Sequence, residues 1–182
     1  FLSGPPFHDS QQPSKDARQN EASMSDQASS GNQGAQLRVL TQYVKDLSFE
    51  NPNAPQSLGP VEDQPAINLR VDVGVKRMSE TDFEVALKVG AEAATKDKPM
   101  FIAEVEYAAL FRLINIPPAD LEAVLVVECP RQIFPFARRI LADVTRDGGF
   151  PPLMIDPIDF VSLYQQRREQ MAAQVENAAK PN

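Results

Sequence analysis

The chain keeps a side-chain period of two through three successive runs and then changes to a helical period, and that order leaves few folds open. In the first of these runs Ile67, Leu69, Val71, Val73 and Val75 fall on one side, with Asn68, Arg70, Asp72 and Lys76 on the other. After Met78 to Asp82, the residues Phe83, Val85, Leu87, Val89, Ala91 and Ala93 repeat the period. Residues 96–99 (KDKP) turn the chain, and 100–114 follow: Phe101, Ala103, Val105, Tyr107, Ala109 and Phe111 share one face, Met100, Ile102, Glu104 and Glu106 the other. A less regular run over 37–49 precedes them and reads as a first strand. Short connections between neighbouring runs imply antiparallel pairing.

The period then becomes helical. Over 119–147, Ile133, Phe136, Ala137, Ile140, Leu141 and Val144 form one stripe, while Pro130 and Pro135 predict a kink or two pieces. Gly148-Gly149 stops that helix. A second is expected from Pro157 to Ala173, with Asp156 as its N-cap and Phe160, Leu163, Tyr164 and Met171 on one face. The fold class is α+β, a four-stranded antiparallel sheet followed by two helices. Between the first two strands, Asn51 to Pro65 carries four prolines, an extended connection rather than a hairpin turn. Long ordered loops of this kind are disproportionately functional.

Composition narrows the function. Residues 1–36 hold only eight apolar side chains and are rich in Ser, Gln, Asn, Gly and Pro, too little apolar area to offset the entropy of ordering. They read as a disordered leader. Met24 reads as a natural start, with 1–23 an upstream remnant. The net charge of −7 and the lack of any Lys/Arg cluster longer than a pair argue against nucleic acid as a partner. No apolar run approaches a membrane span and no charged-then-apolar leader is visible, so a soluble, cytoplasmic protein is expected. The single Cys129 fits a reducing compartment. The one histidine, His8, lies in the leader, so the folded part has none for triad, zinc or general-base chemistry.

Two candidates for chemistry remain. Glu104 and Glu106, two apart on a strand, emerge on one face about 7 Å apart, a span that paired-carboxylate hydrolases use. A solvated polar sheet face and an acidic docking face are the other readings, and Asp46 and Glu50, four apart, add to the same patch if register allows. Cys129, beside Pro130 and with no folded histidine to pair with, reads as a buried structural thiol rather than a nucleophile.

Three stretches carry a family resemblance: YVKDLSFENPNAP (43–55), CPRQIFPFARRIL (129–141) and GGFPPLMIDPIDFVSLY (148–164). Together they resemble SecB, the bacterial protein-export chaperone, whose order of four strands and two helices extends the match over 37–166. Residues 167–182 are then helix end and flexible tail. The resemblance implies a homotetramer, a dimer of dimers, without ATPase or cofactor. It implies binding of unfolded precursor proteins in hydrophobic grooves and their transfer to SecA, the translocation motor. By position, Asp46, Glu50, Ile102 and Glu104 match the family's SecA contacts. The groove maps to 51–66 and 157–166. No aromatic lies between Asn51 and Pro65, so its loop side relies on Leu58 and Val61.

Phe134, Phe136, Phe150 and Phe160 read either as groove aromatics or as core; Phe160, Leu163 and Tyr164 are the better groove candidates. One helix layer cannot cover both faces of a sheet, which calls for a partner subunit, with Ala103, Val105 and Tyr107 expected at the interface. A SecB-like chaperone serving a toxin–antitoxin pair is the nearest alternative, and a small carboxylate hydrolase a more distant one.

Overall fold

The computed structural model describes residues 34–60, 64–96 and 98–178, the last five of them as backbone alone. The expected leader to residue 33, Val61 and the last four residues of the tail lie outside these. Four strands, β1 (Gln36–Glu50), β2 (Ala66–Arg77), β3 (Asp82–Thr95) and β4 (Lys98–Ile114), form one antiparallel sheet in the order β1-β4-β3-β2. β1 and β2 therefore occupy opposite edges, and the proline-rich connection has to pass two intervening strands, roughly 14 Å at the usual strand spacing. Within it a short 3-10 turn spans Gln56–Leu58, and the Asn53 amide donates to the Pro99 carbonyl at 2.7 Å.

The irregularity of β1 has a local cause. Its pairing with β4 slips between Val39 and Thr41 and again between Val44 and Asp46, leaving Leu40 and Lys45 as bulge residues. Each bulge resets the alternation, so Leu37 and Val39, then Val44, then Leu47 and Phe49 all return to the helix side. A third bulge, between Ala93 and Ala94 of β3, frees Met100. Met100 was expected on the polar face with Ile102; it is buried instead, because the bulge tucks it inward beside Phe101.

The helical layer begins at Pro118. α1 (Pro118–Ala123) passes into a π turn (Val124–Glu128) and then α2 (Cys129–Asp147). Pro130 lacks an amide for the regular ladder, and the expected interruption takes the form of that π turn. α2 ends in a Schellman motif: the Phe150 amide donates to the Thr145 carbonyl at 3.1 Å and that of Gly149 to Arg146 at 3.0 Å. Gly149 has φ +88°, and a Cβ on Gly148 would lie 2.1 Å from the Phe49 ring. Both glycines are thus required, one by conformation and one by close approach.

α3 (Phe160–Ala178) starts three residues later than expected. Asp159, not Asp156, caps it: its carboxylate accepts from the amides of Val161 and Ser162 at 3.0 and 3.1 Å and from the Ser162 hydroxyl at 2.7 Å. The preceding segment stays extended because Leu153 and Ile155 are buried and Thr145, itself fully buried, holds the Leu153 amide at 2.9 Å.

The core lies between sheet and helices, and is densest over β3 and β4: Val85, Leu87, Val89, Ala103, Val105 and Phe111 are inaccessible to solvent. Ala103, Val105 and Tyr107, expected at a subunit interface, belong to this core. They face α2, and the Tyr107 ring stacks on Phe136 at 5.9 Å. The helix-side residues left open are on the two edges, Val39, Val44 and Leu47 on β1 and Ile67, Leu69 and Val75 on β2.

Candidate functional site

On the face of the sheet away from the helices, register places the expected docking residues in adjoining rows. Asp46 of β1 lies opposite Glu106 of β4, which lies opposite Lys88 of β3; the next row is Ser48, Glu104 and Gly90, and the third is Glu50, Ile102 and Glu92. Asp46, Glu50, Ile102 and Glu104 thus come together on one open face, with Ile102 exposed among carboxylates.

These acids are not equivalent. The Lys88 ammonium sits 2.7 Å from Glu104, and that carboxylate holds the lysine's pKa above its ordinary value. Lys45, re-aimed by its bulge, bridges Glu84 at 3.3 Å and Glu106 at 3.2 Å. Its pKa is raised, first by Glu106 and then by Glu84. The Tyr43 hydroxyl also donates to Glu84, and this hydrogen bond, more than Lys45, holds the Glu84 carboxyl below its usual range. Among the described residues, Asp46 and Glu50 have no ion pair within 4 Å. Glu104 and Glu106 therefore lie on an accessible surface, each against a lysine, and neither lines the two clefts described below. A hydrolytic pair works best in an enclosed, polar pocket, whereas each of these carboxylates is engaged by a lysine on an accessible surface.

The groove candidates separate. A cleft of about 530 Å³ runs between the edge strand and the last helix, floored by Val71, Val73 and Val75 and walled by Leu163, Tyr164 and Met171. Arg167 closes one side, donating to the Val73 carbonyl at 3.3 Å and pairing with Asp72. A second cleft, also about 530 Å³, lies between α2 and the extended segment, with Met154, Ile158 and Pro135 against an arginine rim of Arg131, Arg138 and Arg139.

Phe160 and Phe134 form the apolar wall common to this region, edge to face at 6.1 Å, but both are core residues, at 1% and 6% exposure. Phe150 is also core, packed with Phe101 at 5.0 Å and Phe49 at 6.4 Å. Phe136 is exposed, but on the β1 side of α2, away from both clefts. Leu58 is exposed beside Gly149, at the end of α2. Of the eight expected groove residues, Leu163 and Tyr164 fit as accessible walls, Phe134 and Phe160 as buried backing, and Val61 lies outside the described residues.

Some relevant residues escaped the sequence reading: Lys88 and Lys45 as counter-ions, and Val71 and Val73 as a cleft floor. The signal for the floor was present, since β2 alternates as cleanly as β3 but has no helix stripe of its own. Cys129 is fully buried, and burial, followed by Glu128, pushes its thiol up to about 12. It stays protonated, as a structural thiol should.

Comparison with known proteins agrees with this geometry. The profile of the family described as preprotein translocase subunit SecB matches residues 30–171. The protein-export protein SecB of Parvibaculum lavamentivorans is 73% identical over 169 residues, covering 87% of this chain and 100% of that protein. SecB of Maricaulis maris is 56% identical over 141 residues, covering 78% and 82%. Among solved structures, a Mycobacterium tuberculosis SecB-like chaperone, bound to a peptide from an antitoxin, superposes with a TM-score of 0.55 at 18% identity, covering 68% of this chain and 90% of that one. That likeness speaks to the fold alone. With four strands, two helical segments, an acidic sheet face and a family match over most of its length, the chain belongs to the SecB family of protein-export chaperones.

Proposed function

We propose that this chain captures unfolded precursor proteins in its helix-side clefts, as a homotetramer in the cytoplasm, and delivers them to SecA through the opposite face of the sheet. The observation that carries the reading is the separation of two chemistries onto two faces. Apolar clefts lie on the helix side, and an acidic surface around Ile102, with Asp46 and Glu50 free of ion pairs among the described residues, lies on the other. A client held through apolar contacts leaves the acidic face open, so one molecule can hold cargo and meet a basic partner together.

No chemical step is needed. Extended, apolar segments bind through many weak contacts, and client folding competes with capture. The toxin–antitoxin alternative is supported only by likeness of fold, whereas the relatives that share half or more of their residues with this chain are export proteins.

The test is charge reversal. In Asp46→Lys combined with Glu50→Lys, SecA binding measured by calorimetry should fall at least tenfold, because like charges would now meet across the interface. Binding of an unfolded model protein should be unchanged. Undiminished SecA binding would overturn the assignment of the acidic face.

A further inference from the structure

The acidic face carries its own competitor. Lys88 stands in the middle of it, 2.7 Å from Glu104 and in register with Glu106 and Asp46. Both partners of the pair are accessible, the lysine side chain at 48% and the glutamate at 35%. The neighbours of Glu104 in its row, Ser48 and Gly90, are small; Arg70, across Gly90, pairs with Glu92 at 3.6 Å, and Lys88 is the cation paired with Glu104. Lys45 is different: it is divided between two carboxylates, one of them also held by Tyr43, and is built into the sheet more firmly.

We infer that Lys88 is an internal counter-ion which a basic partner must displace from Glu104, so that docking on this face is an exchange of cations rather than a simple neutralisation. This rests on the docking reading above and adds its regulation. At rest Glu104 is satisfied, while Asp46 and Glu50 have no ion pair within 4 Å among the described residues. A partner gains Glu104 only by presenting a cation at the right place while Lys88 swings away. A diffuse positive charge elsewhere gains little. The lysine thus limits affinity and selects for a partner whose basic groups match the rows on the sheet. Such a limit suits a delivery protein, which has to let go of the motor after transfer.

The experiment measures SecA binding by calorimetry across a salt series for the wild type, Lys88→Gln, Lys88→Arg and Lys76→Gln. Lys76 lies on the same face of β2, so its variant has the same net charge as Lys88→Gln. Removing a unit charge a few ångströms from the partner's cation should tighten binding about fivefold at low salt, with a steeper loss on adding salt. Lys88→Arg should match the wild type and Lys76→Gln should change it less than twofold. Equal tightening by both glutamine variants would make the effect one of net charge and overturn the inference, as would no tightening in Lys88→Gln. If these outcomes occur while Asp46→Lys with Glu50→Lys still abolishes binding, the docking face stands and only the role of Lys88 falls. Absence of wild-type binding would remove both.

Discussion

Among the described residues Thr145 is the one fully buried polar side chain of the core, and its environment explains why a hydroxyl is tolerated there. It donates to the Leu141 carbonyl at 2.9 Å and accepts from the Leu153 amide at 2.9 Å, so a single atom ties the end of α2 to the extended segment. Thr145→Val keeps the shape but leaves that amide without a partner, which should cost about 1–3 kcal/mol in urea unfolding. Thr145→Ser should recover most of it. Asp159 makes a comparable local tie at the surface. The Ser162 hydroxyl and amide, followed by the Val161 amide, hold its carboxyl below the usual range. A depressed folded-state value contributes stability that is present above the unfolded value, near 3.9, and is lost as pH falls through the folded one. Helicity of α3 should therefore decline below about pH 4 in the wild type, and in Asp159→Ala it should be reduced already at neutral pH and lose that acid-dependent step. Circular dichroism against pH distinguishes the two. Neither residue stands out in the sequence, because a threonine inside a helical stripe and one aspartate among several near a proline carry no mark of their partners.

At the scale of elements, the sequence was most legible where one face is buried without interruption. β3 and β4 alternate cleanly because α2 covers them, and their core residues were identified almost without error. β1 was not legible, since two bulges change its phase and strict alternation is lost over any window that spans them. The bulge at Met100 has a further effect. Counting outward from the turn at residues 96–99 gives a register wrong by one, which would set Lys88 opposite Val105 on the wrong face and hide its relation to Glu104. Helix stripes had the opposite fault: spacing put Phe136 rather than Phe134 in the α2 stripe, and Phe160 on one face with Leu163 and Tyr164, without telling core from cleft. The structure separates them by exposure, and the separation can be measured. Phe160→Ala removes a core ring and should destabilise the fold by about 3–5 kcal/mol. Leu163→Ala with Tyr164→Ala trims the cleft wall instead. It should leave the thermal midpoint within a few degrees of the wild type while weakening capture of an unfolded model protein several-fold in a fluorescence titration. Equal affinity would remove the cleft between β2 and α3 from the client path.

For the whole molecule, the unsolved demand is burial. The helix layer is narrower than the sheet, so Val39, Val44 and Leu47 of edge strand β1 remain about two-fifths exposed or more on the helix side, next to the exposed ring of Phe136. Val44 lies opposite Tyr107, on which Phe136 stacks, so Val44 and Phe136 flank one ring with Leu47 beyond, while Gln42, opposite Ala109, separates them from Val39. The free edge of β1 runs beside this strip. An edge strand flanked by apolar side chains, without a proline or an inward-pointing charge to blunt it, is built to be covered. Ala103, Val105 and Tyr107 are enclosed within the single chain, and we propose β1 and the outer side of α2 as the subunit contact instead. One self-complementary strip closes two copies into a dimer, and the tetramer that the family resemblance implies, about 80 kDa from a chain of 20.1 kDa, requires a second contact as well. Val44→Glu with Leu47→Glu places charge where the strip would meet a second copy. Because both positions are exposed in the single chain, the fold should survive, and the far-ultraviolet spectrum should be unchanged. Sedimentation should show the variant as dimer or monomer at concentrations where the wild type remains tetrameric. A variant that stays at the wild-type mass would exclude the β1 strip from the interface. A wild-type protein sedimenting near 20 kDa at micromolar concentration would exclude the assembly itself, and with it any groove that runs from one subunit to the next.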